Sequence, residues 1–190
     1  MTFAVSVRQG SLTDGDEDVL VNASNTNVAL GSGVSGAIRA ACGKGYQEHI
    51  ARELAARVGG PMKPGHVLVT DAGAHRRARW VAHVAVMDYR DGFTGSSYPT
   101  NELVRAACVR LWAAIEAIDA PGPLSVAMVA LGAGTGNLGV RAPTEAACET
   151  LLAHVAAHPR SKIGHVVFYG YALHEFLAVQ DVVRRACPTG

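Results

Sequence analysis

The sequence predicts an α/β fold with a largely parallel central sheet, and three observations lead to this prediction. Short apolar runs alternate with helical segments along the 190 residues of the chain. Such an alternation implies crossover connections between parallel strands, with helices on both faces of the sheet. Apolar residues make up 49% of the composition, which is enough to build a sizeable core. The run Leu124–Leu131 is almost continuously apolar, as is typical of a strand buried on both faces.

Six segments are predicted to be strands. The first alternates in the manner of an edge strand, and the others are short apolar runs. The two opening strands could add a mixed or antiparallel edge to the sheet. In chain order the predicted strands are Phe3–Arg8, Val19–Val21, His66–Thr70, Trp80–Met87, Leu124–Leu131 and Gly164–Tyr169.

Five segments are predicted to be helices. In the clearest of them, Leu111 and Ile115 belong to an apolar series that recurs at three- and four-residue steps. Pro143 opens another helix, since proline is tolerated in the first helical turn. The predicted helices are Val34–Cys42, Tyr46–Val58, Glu102–Ile118, Pro143–His158 and Leu173–Ala186.

The composition limits the classes of function. Lysine and arginine number 17, and aspartate and glutamate 16, so the chain lacks the basic excess that general nucleic-acid or membrane-surface binding requires. No segment has the length of an apolar membrane span, and the N-terminus does not have the pattern of a secretory leader. Without an internal repeat or a linker, residues 1–190 are expected to form a single domain, and a cytoplasmic location is the default expectation.

The four cysteines lie far apart in alanine-rich segments that are predicted to be helical. No CxxC motif or Cys/His cluster has the spacing of a zinc site, and a disulfide framework is not expected in a chain of this size. We interpret them as small buried thiols rather than as metal ligands or catalytic nucleophiles. They are Cys42, Cys108, Cys148 and Cys187.

Two glycine-rich segments follow predicted strands, Asn22–Gly36 near the start and Gly132–Gly139 after the most apolar run. In open α/β sheets, ligands bind beyond the carboxyl ends of the strands, where loops lead into helices. Glycine allows the backbone to approach a ligand closely, and the free N–H groups of the following helix attract an anion. Either loop alone could be a simple turn, but two in one small domain indicate a diphosphate held from opposite sides.

Asn22 and Asn25 stand at the start of the first glycine-rich segment. Each side chain offers a donor and an acceptor, which suits the hydroxyl groups of a sugar. The alternative is that they stabilise the loop through local turns. Beside an anion-binding loop, the pair indicates a sugar phosphate as the ligand.

A nicotinamide-dinucleotide oxidoreductase is a further alternative, because both loops contain the pattern GxGxxG. In Gly31–Gly36 the pattern starts too far beyond its strand to form the tight turn of a dinucleotide-binding fold. In Gly134–Gly139 the acidic residue expected about twenty positions later is missing. A P-loop is not expected either, since the chain contains no Gly-Lys-Ser/Thr sequence.

Five segments in a fixed order extend over nearly the whole chain: DVLVNASN (18–25), GSGVSGAIRAACG (31–43), WVAHVAV (80–86), LGAGTGNLGV (131–140) and VVFYGY (166–171). Together they resemble the macrodomain family, which binds ADP-ribose and is also called the Appr-1''-p processing family. The resemblance implies a three-layer α/β/α fold with a central mixed sheet of about six strands. It also implies ADP-ribose or an ADP-ribosylated macromolecule as the partner, with no cofactor and no metal.

The resemblance also implies a role for individual residues. Asn25 is similarly placed to meet the distal ribose, Leu138 lies beside the same sugar, and Tyr171 lies over the adenine. For Tyr171 the alternative is a core aromatic at the end of the last strand. Backbone amides of two groups would wrap the diphosphate, namely Gly33, Val34, Ser35 and Gly36 in one loop and Gly134, Thr135, Gly136 and Asn137 in the other.

One departure from the family pattern concerns the base. Where the family usually has Gly-Asp-Ile, this chain has Gly10–Leu12, so the resemblance implies that Ser11 and Leu12 stand at the adenine. A serine oxygen accepts a hydrogen bond without the charge of a carboxylate. The acidic side chains that could replace it are Asp14, Asp16 and Asp18.

The second departure concerns chemistry. Hydrolytic members of one large class carry an aspartate in GVDGAI that helps to activate water near the distal ribose, whereas this chain has Ser35. Serine is not a general base at neutral pH, so ADP-ribose binding is the main expectation. The alternative is a hydrolase that removes ADP-ribose from protein or nucleic acid, or deacetylates O-acetyl-ADP-ribose, with Asn25 positioning the attacking water.

Two further features concern a loop and a histidine. The polar loop Asp88–Thr100 is a candidate flap over the site, and Tyr89, Asp91 and Phe93 within it are named by position alone. His83, in the middle of an apolar strand, is expected to be a satisfied core histidine rather than an acid or a base.

Overall fold

The computed structural model describes residues 3–92 and 94–187. Within these ranges six strands form one sheet: β1 Ala4–Gln9, β2 Val19–Asn25, β3 Val67–Asp71, β4 Trp80–Met87, β5 Leu124–Met128 and β6 Ile163–Gly170. Their order is β1-β6-β5-β2-β4-β3. All neighbouring pairs are parallel except β3 and β4, which are antiparallel. The sheet is therefore mixed, with its antiparallel strand at one edge.

In the described part of the chain, five α-helices cover the sheet: α1 Gly33–Ala41, α2 Tyr46–Val58, α3 Asn101–Glu116, α4 Arg141–Ala157 and α5 Leu173–Ala186. The last three pack side by side, α3 on α4 and α4 on α5, whereas α1 and α2 contact β2 and β3. This arrangement is the three-layer α/β/α fold that the sequence predicts.

The core lies where strands are buried on both faces. Val19, Leu20 and Val21 of β2 are fully buried, as are Val126 and Ala127 of β5. These are central strands with helices above and below, so residues of both parities are apolar. By contrast β1 pairs on one side only, and its burial varies along the strand.

Two predictions about the strands are wrong. The antiparallel edge is β3 rather than either opening strand, because β3 turns directly into β4 through residues 72–79 without a crossover helix. The second strand continues past Val21 to Asn25, because Asn22 and Ser24 are buried inside the sheet despite their polarity. Elsewhere β4, α2 and α5 have the predicted bounds.

Candidate functional site

A cavity of about 730 Å3 crosses the carboxyl ends of five strands. Its wall is built from the segments that follow β1, β6, β5, β2 and β4. The two glycine-rich loops lie near its centre, since they follow the neighbouring strands β5 and β2. Both loops thus face one cavity, which is the arrangement that a ligand held from opposite sides requires.

The first loop leads into α1, and the N-terminus of this helix has no side-chain cap. The side chain of Ser32, the N-cap residue of α1, makes no capping hydrogen bond. The amides of Gly33, Val34 and Ser35, which line the cavity, donate to no group within the described residues. The amide of Gly36, expected to join them, already donates to the Ser32 carbonyl at 3.2 Å, and Gly36 does not line the cavity. Three N–H groups without a partner in the described residues and the positive end of the helix dipole are features that attract an anion.

The second loop presents a matching set. The amides of Gly134, Thr135 and Gly136 line the cavity and have no partner in the described part of the chain. The amides of Asn137 and Leu138 are used inside the loop, donating to the carbonyls of Gly134 and Gly132. Neither Asn137 nor Leu138 lines the cavity. The Leu138 side chain packs against the core instead of reaching the ligand space.

Beneath the first loop, a chain of buried polar side chains orients Ser35. Its hydroxyl donates to Asn22 Oδ1 at 2.9 Å and lies 3.3 Å from the Ala23 carbonyl. Asn22 is fully buried, does not line the cavity, and contacts His83 Nδ1 at 3.1 Å. Because the Ser35 proton is used inside the protein, its oxygen offers only lone pairs to the cavity.

His83 continues this chain across the sheet to β3. Its Nε2 lies 3.3 Å from Thr70 Oγ1, and Thr70 contacts the Tyr46 hydroxyl at 3.1 Å. Burial, reinforced by His49, lowers the pKa of His83 to about 3. The imidazole is therefore neutral at physiological pH. The structure confirms a satisfied core histidine.

Asn25 lines the cavity, but most of its hydrogen bonds stabilise its own loop. Its Oδ1 accepts from the amides of Asn27 and Ala29 at 3.1 and 3.2 Å. Its Nδ2 donates to the Ala29 carbonyl at 3.0 Å. One N–H of the carboxamide remains, so Asn25 can donate to a ligand oxygen but cannot accept from it.

At the other end of the cavity, Tyr169 near the end of β6 and Tyr171 just after it form an aromatic wall. Tyr171 is 76% exposed, which excludes the core role considered for it. The Tyr169 hydroxyl is occupied by Glu17 at 3.0 Å and Arg8 at 3.2 Å. Ser11 and Leu12 also line this end, but the Ser11 oxygen caps a short turn by accepting from the Thr13 amide at 3.4 Å.

A carboxylate that sequence reasoning missed lies at this end. Glu175, in the first turn of α5, lines the cavity and accepts hydrogen bonds from the amides of Tyr171 and Ala172. The spacing of an acidic residue three positions after the helix N-cap was the available signal. None of the carboxylates considered as replacements lines the cavity; these are Asp14, Asp16 and Asp18.

The loop after β4 contributes to the wall and to the support of the second glycine loop. Tyr89 lines the cavity, whereas Asp91 does not, and Phe93 lies outside the described residues. Pro99, near the end of the same loop, lies against Gly132 and Gly136. The loop therefore contributes to the cavity wall and packs against the second glycine loop.

The cysteines are buried free thiols, as predicted. Burial raises the pKa of both Cys42 and Cys108 to about 12, which keeps them protonated and unreactive. Across the described ranges, no group of three or more histidine, cysteine or acidic side chains could hold a metal ion. No helix in those ranges is long and apolar enough to cross a membrane.

Comparison with known proteins agrees with the fold. The sequence matches the family described as Macro domain over residues 21–149, which is more than half of the chain, and the protein belongs to this family. It is similar to the O-acetyl-ADP-ribose deacetylase of Cronobacter turicensis, with 30% identity over 183 residues that cover 96% of this chain and 97% of the relative.

Solved structures give the same fold. The Oceanobacillus iheyensis macrodomain with ADP superposes with a TM-score of 0.75 and 18% identity, covering 94% of this chain and 89% of that one. The Trypanosoma brucei macrodomain in complex with ADP-ribose has a TM-score of 0.75 and 20% identity, covering 94% and 68%. These similarities confirm the predicted three-layer α/β/α fold.

Proposed function

We propose that the protein binds ADP-ribose, either free or as the terminal adduct on a partner macromolecule. The observation that carries this proposal is the convergence of the two glycine loops on one cavity, each with three cavity-lining amides that have no partner in the described residues. Oriented N–H groups bind a diphosphate without a basic side chain. The near-zero net charge of the chain, +1, is therefore compatible with an anionic ligand.

The two ends of the cavity suit the two ends of such a ligand. The end near β2 and β4 offers one N–H from Asn25 and lone pairs from Ser35, a donor and an acceptor for the hydroxyls of the distal ribose. The end near β1 and β6 offers the exposed ring of Tyr171, on which a base can stack. The diphosphate lies between them, against the amides of both loops.

Calorimetric titration with ADP-ribose tests this proposal. We expect saturable binding of one ligand per chain, and weaker binding of adenosine monophosphate, which cannot span both loops. Reduced nicotinamide dinucleotide is the control for the oxidoreductase alternative, and no hydride transfer is expected. Absence of ADP-ribose binding at millimolar ligand would contradict the proposal.

A second candidate function is hydrolysis of an ester of ADP-ribose, favoured by the name of the Cronobacter relative. Asn25 and Ser35 can orient a water molecule by donating to it and accepting from it. Neither side chain can take its proton, and no histidine or carboxylate in the described residues lines this end. Turnover therefore has to rely on the substrate for a base.

Release of acetate from O-acetyl-ADP-ribose tests this second candidate, with Asn25→Ala as the variant. Because alanine also removes three hydrogen bonds within the loop, ADP-ribose affinity is measured in parallel. Positioning of water by Asn25 requires the rate to fall more than the affinity. An unchanged rate would remove this mechanism.

A further inference from the structure

The charge of the cavity wall does not match an anionic ligand everywhere. Among the described residues that line the cavity, Glu175 alone carries a charged side chain, and its charge is negative. A carboxylate close to a diphosphate would be repelled by it. The charge is tolerated only if Glu175 lies away from the phosphates and meets a hydrogen-bond donor of the ligand.

The position of Glu175 in the fold satisfies the first condition. It follows β6, whereas the loops with free amides follow β5 and β2. At this end of the cavity its neighbours in the wall are Gly10 and Ser11 after β1, and Tyr171 after β6. The carboxylate therefore stands at the β1 and β6 end of the cavity, one strand away from the second glycine loop and two strands away from the first.

The hydrogen bonds of Glu175 satisfy the second condition. Oε2 accepts from the Tyr171 amide at 3.1 Å and from the Ala172 amide at 3.0 Å. Oε1 accepts no hydrogen bond from any residue in the described part of the chain. One oxygen thus fixes the carboxylate to the start of α5, and the other is available to a ligand.

Two other side-chain oxygens at this end already have partners. The Ser11 hydroxyl is bound to the amide and the hydroxyl of Thr13, and the Tyr169 hydroxyl is bound between Glu17 and Arg8. Among the described side chains that line the cavity, Glu175 supplies the one charged acceptor, and its Oε1 has no protein partner there. A base stacked on Tyr171 brings one kind of donor within reach of it, an exocyclic amino group.

We propose that Glu175 accepts a hydrogen bond from the exocyclic amino group of adenine and thereby makes the cavity selective for adenine nucleotides. This inference rests on the proposed function, since it concerns the base of ADP-ribose. The carboxylate comes from the last helix, and it supplies the charged acceptor that Ser11 does not. Glu175 is a specificity-determining residue and also a helix cap.

The test compares ADP-ribose with its purine-riboside analogue, in which hydrogen replaces the amino group and no donor or acceptor is added. We expect the wild-type protein to bind the analogue about tenfold more weakly. This factor corresponds to the free energy of one hydrogen bond to a charged group. In Glu175→Gln the side-chain carbonyl can still cap α5, but an amide N–H replaces the free oxygen. We expect this variant to lose most of the preference.

Glu102→Gln is the matched control, since Glu102 is the first-turn acid of α3 and does not line the cavity. It should keep the wild-type preference. Equal affinity of the wild type for the two ligands would overturn the inference while leaving ADP-ribose binding intact, and so would an unchanged preference in a folded Glu175→Gln variant. Failure of the wild type to bind either ligand would overturn the proposed function as well. The wild-type comparison stands even if the variant does not fold.

Discussion

The two glycine loops face the same cavity, yet they rest on different supports. Under the first loop, Ser35, Asn22 and His83 form a hydrogen-bonded chain of buried polar groups. Under the second, the contacts are apolar: a Cβ at Gly132 would lie 2.8 Å from Pro99 Cγ and 3.2 Å from Leu138 Cδ1. Two similar glycine patterns in the sequence are therefore supported differently, one by buried hydrogen bonds and the other by apolar packing.

This difference determines how each loop can be disrupted. A buried polar chain is stable only while every member keeps its partner and its protonation state. Tightly packed apolar contacts are insensitive to pH, but they do not accept added volume. We therefore expect acid to affect the support of the first loop, and bulkier side chains to affect the second.

The largest effect is expected from acid acting on His83. Its pKa is lowered to about 3 in the folded protein, against about 6.5 in the unfolded chain. The unfolded state therefore takes up the proton first, and the stability present above pH 6.5 is lost as the pH falls toward 3. Between about pH 7 and about pH 4.5, protonation linked to this group should lower the free energy of unfolding by about 2 to 3 kcal/mol. Urea denaturation at the two pH values measures this loss.

His83→Gln is the control for this prediction, because glutamine keeps a donor and an acceptor but cannot become charged. Carboxylates such as Asp88, whose pKa is lowered to about 2 by Arg90, also reduce stability in acid. They do so equally in both proteins, so the difference between wild type and variant isolates the histidine. Equal acid sensitivity of the two would refute the prediction.

A somewhat smaller loss of stability is expected when Gly136 is replaced by valine. Its Cβ would lie 2.4 Å from the Gly132 carbonyl oxygen and 2.8 Å from Pro99 Cγ, so the loop has to move. Overpacking of this kind costs about 2 kcal/mol. Thermal unfolding should show the loss, and ADP-ribose binding should weaken with it. An unchanged melting temperature would contradict the prediction, because it would mean that the loop moves without a loss of stability.

The sequence predicted the strands and helices around the site better than the buried side-chain contacts that support it. Patterns that run the full length of an element, as in Trp80–Met87 and Leu173–Ala186, gave the correct bounds. The apolar run predicts a strand from Leu124 to Leu131, but pairing ends at Met128. Val129 continues the run as part of the cavity wall, and an apolar residue is compatible with either role.

Side-chain partners that are distant in sequence could not be predicted in the same way. Asn22 meets His83 across 61 positions of the chain, and this pairing exists only once β2 lies beside β4. The same holds for Glu175, which enters the wall because β6 ends near the cavity. Gly134 and Gly136 likewise look equivalent in the sequence, although only the second has close neighbours for an added Cβ.

Gly134→Val is therefore expected to have almost no effect on stability. No atom lies within 4 Å of a Cβ at this position, and the residue lines the cavity. The new side chain occupies the space where a phosphate approaches the loop amides, so ADP-ribose affinity should fall at least about tenfold. Gly60→Val is the matched control, since Gly60 is equally open and does not line the cavity. If Gly134→Val kept wild-type affinity while folded, the second loop would not contact the ligand, and the contrast between the two glycines would concern folding alone.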